Sequence, residues 1–226
     1  MVRYSPLGDK GLLVEFGKTI SQEISEKVLA FRDELLTGNV NDIIEVCPAY
    51  CSLAVLYDPT NMSYDALVAK LKMVEREVKS ISKRDADIFE IPVCYDGVYA
   101  PDIDFVAQAS GLSVDDVIKV HTSKPYMIYM LGFMPGFAFL GGLDRKLSVS
   151  RRESPRVRVP AGSVGVISGQ TGVYPIESPG GWQLIGRTPL KLFDHSREKP
   201  ILFEAGDYIR FSAISQEEYE EMTYVG

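Results

Sequence analysis

Two hydrophobic periods run along this chain, and the change from one to the other divides it. Leu12-Leu-Val-Glu-Phe16 is a short apolar run that predicts a strand. Ile24, Val28, Phe31 and Leu35 then recur at three- and four-residue steps, which predicts a helix with one packing face. Thr19 and Gln22 have the spacing of a capping box, with Ser21 as a competing cap, and Gly38-Asn-Val-Asn41 ends the helix. Ile43 to Cys47 and Ser52 to Tyr57 read as strands, followed by a turn at Asp58-Pro-Thr-Asn61. From Ser63 to Lys79 a second stripe appears: Tyr64, Leu67, Val68, Leu71, Val74 and Val78. Ile88 to Val93 is again strand-like. The order strand, helix, strand, strand, helix, strand is the split βαβ or ferredoxin-like pattern. The last strand fits the next domain equally well, and the polar stretch Ser80 to Asp87 is the predicted boundary.

Beyond it the pattern changes. Two short helices are predicted, from Asp102 to Ala109 and from Ser113 to about Val120, the second with Ser113 and Asp116 as a cap pair. Short strands broken by Gly and Pro follow at Tyr126–Leu131, Val164–Ser168, Gly172–Ile176, Leu190–Phe193 and Tyr208–Ala213, and Gln216 to Met222 closes as a helical turn. Twelve of the 19 glycines lie between Gly132 and Gly206. Many short strands with glycine-rich turns predict a barrel or sandwich.

The formal net charge of -7 over 226 residues argues against a nucleic-acid partner, which needs a basic face. No stretch reaches the roughly 18 apolar residues of a membrane span, and Met1-Val-Arg is followed by no apolar signal region. The expected location is cytoplasmic, with no membrane partner. Cys47, Cys51 and Cys94 give no disulfide framework, and with two histidines in the chain no metal site is expected.

Candidate chemistry concentrates in two glycine-rich runs. Leu131-Gly-Phe-Met-Pro-Gly-Phe-Ala-Phe-Leu-Gly-Gly-Leu143 is too apolar for a solvent loop and too interrupted for a helix. Its Gly132, Phe133, Pro135, Gly136, Phe137, Phe139, Gly141 and Gly142 read as a pocket wall, with core packing as the alternative. His121 ends a short helix and can act as acid or base near neutrality; a histidine placed against the helix dipole is the structural alternative. Arg151, Arg152, Arg156 and Arg158 suit a carboxylate or phosphate, with a solvated strand face as the alternative, and Val157 and Val159 pointing inward would place Arg156 and Arg158 on the other face. Arg151 and Arg152 could not both point one way from a strand. Gln170, Thr171 and Tyr174 bring hydrogen-bonding groups between glycines, and Gly180-Gly-Trp182 lets the single tryptophan approach a ligand or partner. Phosphate-loop, dinucleotide and serine-hydrolase signatures are missing. So few nucleophile–base combinations suggest a chain that supplies part of a site and borrows the rest.

His121-Thr122, Gly132 through Leu143, Arg152 through Pro160 and Gly162 through Pro189 together resemble the PxpB/KipI family, also described as allophanate hydrolase subunit 1-like proteins. The resemblance implies an α+β chain with a ferredoxin-like α/β sandwich over residues 1–84 and a cyclophilin-like β-barrel domain over 85–226. It also implies a subunit of an ATP-dependent 5-oxoprolinase that opens 5-oxo-L-proline to L-glutamate, working with PxpC/KipA-like and PxpA-like subunits. Two alternatives come with it: an inhibitor of a sensor histidine kinase, and a carboxyltransferase-type component of a urea carboxylase or allophanate hydrolase system. Carried onto this sequence, the resemblance marks His121 as catalytic and Arg152, Arg156, Gln170, Thr171, Tyr174 and Trp182 as substrate-binding. No resident cofactor is implied; ATP is used by the complex, at a site the sequence does not locate.

Overall fold

Leu12 and Val14 alternate with half-buried neighbours and are fully buried, as are Leu53 and Val55 across the sheet, so one face of the N-terminal strands is apolar. That face is covered by two helices, which contribute Val28, Phe31, Leu35, Leu67, Leu71 and Val74 to the same core. The elements are β1 (Arg3–Pro6), β2 (Gly11–Glu15), α1 (Gln22–Thr37), β3 (Ile43–Pro48), β4 (Ser52–Tyr57) and α2 (Tyr64–Glu77). The sheet is antiparallel in the order β1-β2-β4-β3. Ser21, rather than Thr19, caps α1 by accepting from the Ile24 N–H, and Ser63 caps α2 by accepting from Ala66. The computed structural model describes residues 2–38, 42–78 and 86–224; the predicted end of the first helix at Asn39–Asn41, Lys79 and most of the predicted boundary stretch lie outside them.

Of the two places left open for Ile88–Val93, the second is the one it takes. The fourth strand of this sheet is not Ile88–Val93 but β1, which pairs Arg3 with Glu15 through Pro6 with Leu12. Arg3–Pro6 has no buried residue, so it carries no apolar signal that a sequence pattern could report. The Ile88 strand belongs to the second of two compact units, which divide at Asp85 and Ala86. Its Ile91 and Val93 are buried in that unit's core.

The second unit is built on β5 (Ile88–Cys94), α3 (Ile103–Ser110), α4 (Val114–Thr122), β6 (Tyr126–Leu131), β7 (Ala138–Leu140), β8 (Arg156–Val159), β9 (Ser163–Ile167), β10 (Gln170–Val173), β11 (Ser178–Gly180), β12 (Gln183–Arg187), β13 (Tyr208–Ile214) and α5 (Gln216–Tyr224). Seven strands close a barrel in the order β10-β7-β6-β13-β5-β12-β9. β5 and β13 run parallel in unbroken register from Ile88–Tyr208 to Cys94–Ile214, while the other barrel pairs are antiparallel. Val93, Ile128, Leu140, Val164, Val166, Val173, Ile185, Ile209 and Phe211 fill the core, joined by Ile103 and Val106 of α3 and Val117 of α4. β8 and β11 form a separate two-stranded ribbon. The predicted strand at Leu190–Phe193 is reduced to a single bridge between Phe193 and Ile201. The apolar residues there still face inward, with Leu192 buried, but the chain leaves the sheet.

Glycine at position 141 is dictated by packing. A Cβ there would overlap the Tyr129 ring. Gly141→Val should therefore destabilise the barrel unit by about 1–3 kcal/mol, the usual range for overpacking. Denaturant titration followed by circular dichroism measures it, and an unchanged midpoint contradicts the close approach.

Candidate functional site

His121 sits at the end of α4, where the helix turns its last residues onto the barrel, and it is fully buried. Its ring stacks on Phe211 at 4.6 Å and meets Tyr126 at 5.7 Å between centroids. Nδ1 lies 2.7 Å from the Tyr95 hydroxyl and Nε2 lies 2.9 Å from Thr171 Oγ1. Thr171 Oγ1 donates to the Gly165 carbonyl at 3.1 Å, so its lone pair is left to accept from His121. The proton therefore resides on Nε2, and Nδ1 accepts from Tyr95. The Tyr126 hydroxyl donates to the His121 carbonyl at 2.8 Å. Burial pushes the imidazole pKa down to about 3, so the ring is neutral. Burial likewise holds the Tyr95 phenol well above its usual value.

Some 20 residues upstream, Asp102 stands just ahead of α3. Instead of capping the helix it turns inward, and its side chain is 7% exposed. Arg156 Nη2 donates to both carboxylate oxygens, at 2.6 and 2.7 Å, and Arg152 Nη1 donates to Oδ1 at 3.2 Å. The Leu184 N–H completes the set at 2.7 Å to Oδ2, while the Asp102 N–H donates to the Leu184 carbonyl. A buried carboxylate needs such partners to remain charged. The two arginines come from the stretch before and within β8, and Leu184 comes from β12, so one side chain ties three segments together. Arg156 also reaches the Trp182 carbonyl, and the Arg152 N–H donates to the Gly181 carbonyl.

Over this group lies an open cleft of about 470 Å³, lined by Asp102, Phe105, Ser150, Arg151, Arg152, Glu153, Ser154 and Gln183. Gln183 is fixed by donating to the Ser150 carbonyl. Residues 151–155 are not a strand. The expected conflict between Arg151 and Arg152 does not arise, and both reach the cleft.

The glycine-rich residues 131–143 form the hairpin between β6 and β7. Phe137 is buried against Tyr174, Trp182 and Phe139, with centroids 5.0, 5.6 and 4.6 Å away. With Val159 and Leu184 they make a small second core. Gly180 permits this, because a Cβ there would lie 2.6 Å from the Tyr174 hydroxyl. Phe133 meets the Phe137 ring edge-on at 5.7 Å but is 67% exposed and has a φ of 66°, an uncommon conformation for an aromatic residue.

The predicted site residues thus fall into three places. His121 and Thr171 are hydrogen-bonded to each other in the barrel interior. Arg152 and Arg156 share Asp102 at the cleft. Tyr174, Trp182, Phe137 and Phe139 pack together, and Gln170 is half-buried on β10. None of the expected wall residues Gly132, Phe133, Pro135, Gly136, Phe137, Phe139, Gly141 or Gly142 lines the cleft. The inward pair on β8 is also corrected, since Val159 is buried but Val157 is 89% exposed. β8 pairs only in the ribbon, so a single side chain suffices to anchor it. In this conformation His121 offers neither a free ring nitrogen nor an exposed edge, which suits positioning rather than proton transfer. The residue missed was Asp102. Its signal was an acid ahead of a helix, which reads as an ordinary cap until the arginines are placed.

Two consequences are measurable. Unfolding frees His121 to take up a proton between pH 6.5 and about 3, so its contribution is complete above pH 6.5 and declines as pH falls through that window. Near pH 5 the wild type should take up about one more proton on unfolding than His121→Gln, read from the pH dependence of stability. Equal slopes would remove the buried neutral ring. Asp102→Ala should cost about 3–5 kcal/mol, because it leaves two guanidiniums without their buried partner. Chemical denaturation tests this, and a loss below about 1 kcal/mol would contradict it.

The family model described as "Carboxyltransferase domain, subdomain C and D" matches residues 2–203. The PxpB subunit of the Bacillus subtilis (strain 168) 5-oxoprolinase is 42% identical over 96% of this chain and 96% of its own length. The PxpB subunit of the Escherichia coli O157:H7 5-oxoprolinase is 37% identical, covering 91% of this chain and 93% of its own. The crystal structure of TTHA0988 superposes with a TM-score of 0.79 at 37% identity, over 92% of this chain but 40% of that one. By its full-length likeness to them, this chain belongs to the carboxyltransferase-domain family and, within it, to the PxpB/KipI proteins of the 5-oxoprolinases.

Proposed function

We propose that this chain is the PxpB component of an ATP-dependent 5-oxoprolinase, opening 5-oxo-L-proline to L-glutamate in the cytoplasm together with PxpC/KipA-like and PxpA-like subunits. The observation that carries this reading is the end-to-end likeness to the PxpB subunits of bacterial 5-oxoprolinases. In fold terms, the N-terminal unit is a ferredoxin-like sandwich whose edge strand comes from the chain start, and the barrel is of the cyclophilin-like type.

The chemistry asks for more than this chain holds. A lactam carbonyl is a poor electrophile. ATP transfers its terminal phosphoryl group to the carbonyl oxygen and leaves as ADP. Water adds to the activated carbon, and the C–N bond breaks as the ring nitrogen takes a proton, leaving an acyl phosphate. A second water releases phosphate and L-glutamate. Among the described residues neither cleft serine is hydrogen-bonded to a base, and His121 is enclosed. Supplying the ATP chemistry from partner subunits reconciles the reaction with this surface. The matched part of TTHA0988 is likewise less than half of a longer polypeptide. This chain then binds and orients the substrate over the Asp102–arginine group, while His121, Tyr95 and Thr171 tie the end of β5, β10 and α4 together inside the barrel.

Reconstitution with the two partner subunits is expected to give ATP-dependent glutamate release, falling at least about tenfold when this chain is left out. Equal release without it overturns the proposal. The regulatory alternative has the opposite signature: inhibition of a sensor histidine kinase by this chain alone, indifferent to substitutions in the cleft.

A further inference from the structure

Arg152 and Arg156 are the arginines that the family resemblance marks for the substrate, yet both are already paired with one buried carboxylate. Asp102 accepts from each of them, and its remaining capacity goes to the Leu184 N–H. Arg151 differs. Its side chain is exposed on the cleft and has no carboxylate partner among the described residues. The guanidinium lies against the backbone of Gly181, where a Cβ would stand 3.1 Å from Nη2. The contact places Arg151 beside the Gly180-Gly181-Trp182 segment, although an exposed guanidinium could yield to a side chain there.

The surroundings favour an anion. The cleft and the ion pair beneath it hold three guanidiniums, of Arg151, Arg152 and Arg156, against two carboxylates, of Asp102 and Glu153. One positive charge is left over in a chain whose formal net charge is -7. The Nε–H of Arg152 is buried at the same wall and has no acceptor. A buried donor without a partner is costly unless a ligand or water completes it. Ser150 and Ser154 add hydroxyl groups at the rim, and Phe105 supplies an apolar side. Glu153 is exposed beside them and can accept from an N–H.

We infer that Arg151 is the carboxylate-binding residue of this cleft, and that the site takes a small molecule with one carboxylate, a short apolar body and an N–H group. The Asp102–Arg152–Arg156 group then holds the cleft's floor in place, as positioning residues. A lactam amino acid has this outline: the carboxylate faces Arg151, the ring methylenes face Phe105, and the ring N–H faces Glu153. The identity of that ligand rests on the 5-oxoprolinase reading, whereas the anion site itself does not.

The test is a titration followed by the fluorescence of Trp182, the single tryptophan and the neighbour of cleft residue Gln183. The probes are 5-oxoproline and 2-pyrrolidinone, the same ring without the carboxylate. Both are titrated into the full chain alone and into the complex with its partner subunits. The wild type is expected to prefer 5-oxoproline by about tenfold to a hundredfold, the range of a hydrogen bond to a charged group. Arg151→Gln should abolish that preference, and Arg151→Lys should retain part of it. Arg158→Gln, which removes an exposed partner of Glu177 outside the cleft, should leave it unchanged. A wild type without preference in either setting, or a preference that survives Arg151→Gln, overturns the inference. Failure of the 5-oxoprolinase reading looks different: no ATP-dependent glutamate release, with the Arg151-dependent preference intact.

Discussion

A single buried carboxylate organises the exposed chemistry of the barrel unit. Asp102 is placed by the turn into α3, takes two guanidiniums and one backbone N–H, and returns its own N–H to the same Leu184. The charge could not be buried alone, and the guanidiniums could not approach so closely without it. The coil before β8, the strand β8 and the strand β12 are thereby fixed relative to one another. The cleft lies where these segments meet. Its remaining positive charge follows directly, because Asp102 and Glu153 set two carboxylates against the three guanidiniums of Arg151, Arg152 and Arg156.

The barrel interior solves a different problem with similar means. His121 brings two polar nitrogens into an apolar core, and both must be partnered. Tyr95 from the end of β5 and Thr171 from β10 supply the partners, and Phe211 from β13 covers the ring. Strands far apart in sequence are thus held to one helix end by a directional network. The neutral state is the consequence of that enclosure. The same residue type that carries chemistry at a surface becomes a structural connector once water is excluded.

Between these two polar groups, the glycine-rich segments let aromatic rings lie against backbone. Tyr174 passes under Gly180, Trp182 crosses Gly165, and the Arg151 guanidinium rests on Gly181. The small core of Phe137, Val159, Tyr174 and Leu184 is therefore continuous with the wall of the cleft. The aromatic residues stabilise the ribbon and hairpin on which the arginine segment is mounted. Phe133, exposed at the hairpin tip with a positive φ, is not explained by this packing.

Local pattern was enough for much of the architecture. The stripes of α1 and α2, the Ser113 cap of α4 and the strand Tyr126–Leu131 were all legible, because a buried face leaves a periodic trace in the chain that forms it. β1, β7, β8, β11 and β12 were not: the first four are only three or four residues long, too short to show a period, and β12 is broken by Gly186 and held by β9 and β5. The run from Arg151 to Arg158 suggested anion binding by composition, with a solvated strand face as the alternative. Which arginine remains available was decided by Asp102, some 50 residues earlier, and His121 was decided in the same way by Tyr95 and Thr171. Sequence determined the types of group present and the elements that carry them. Only the tertiary structure determined which charges cancel and which side chains lose their water, because pairing and burial depend on distances through space.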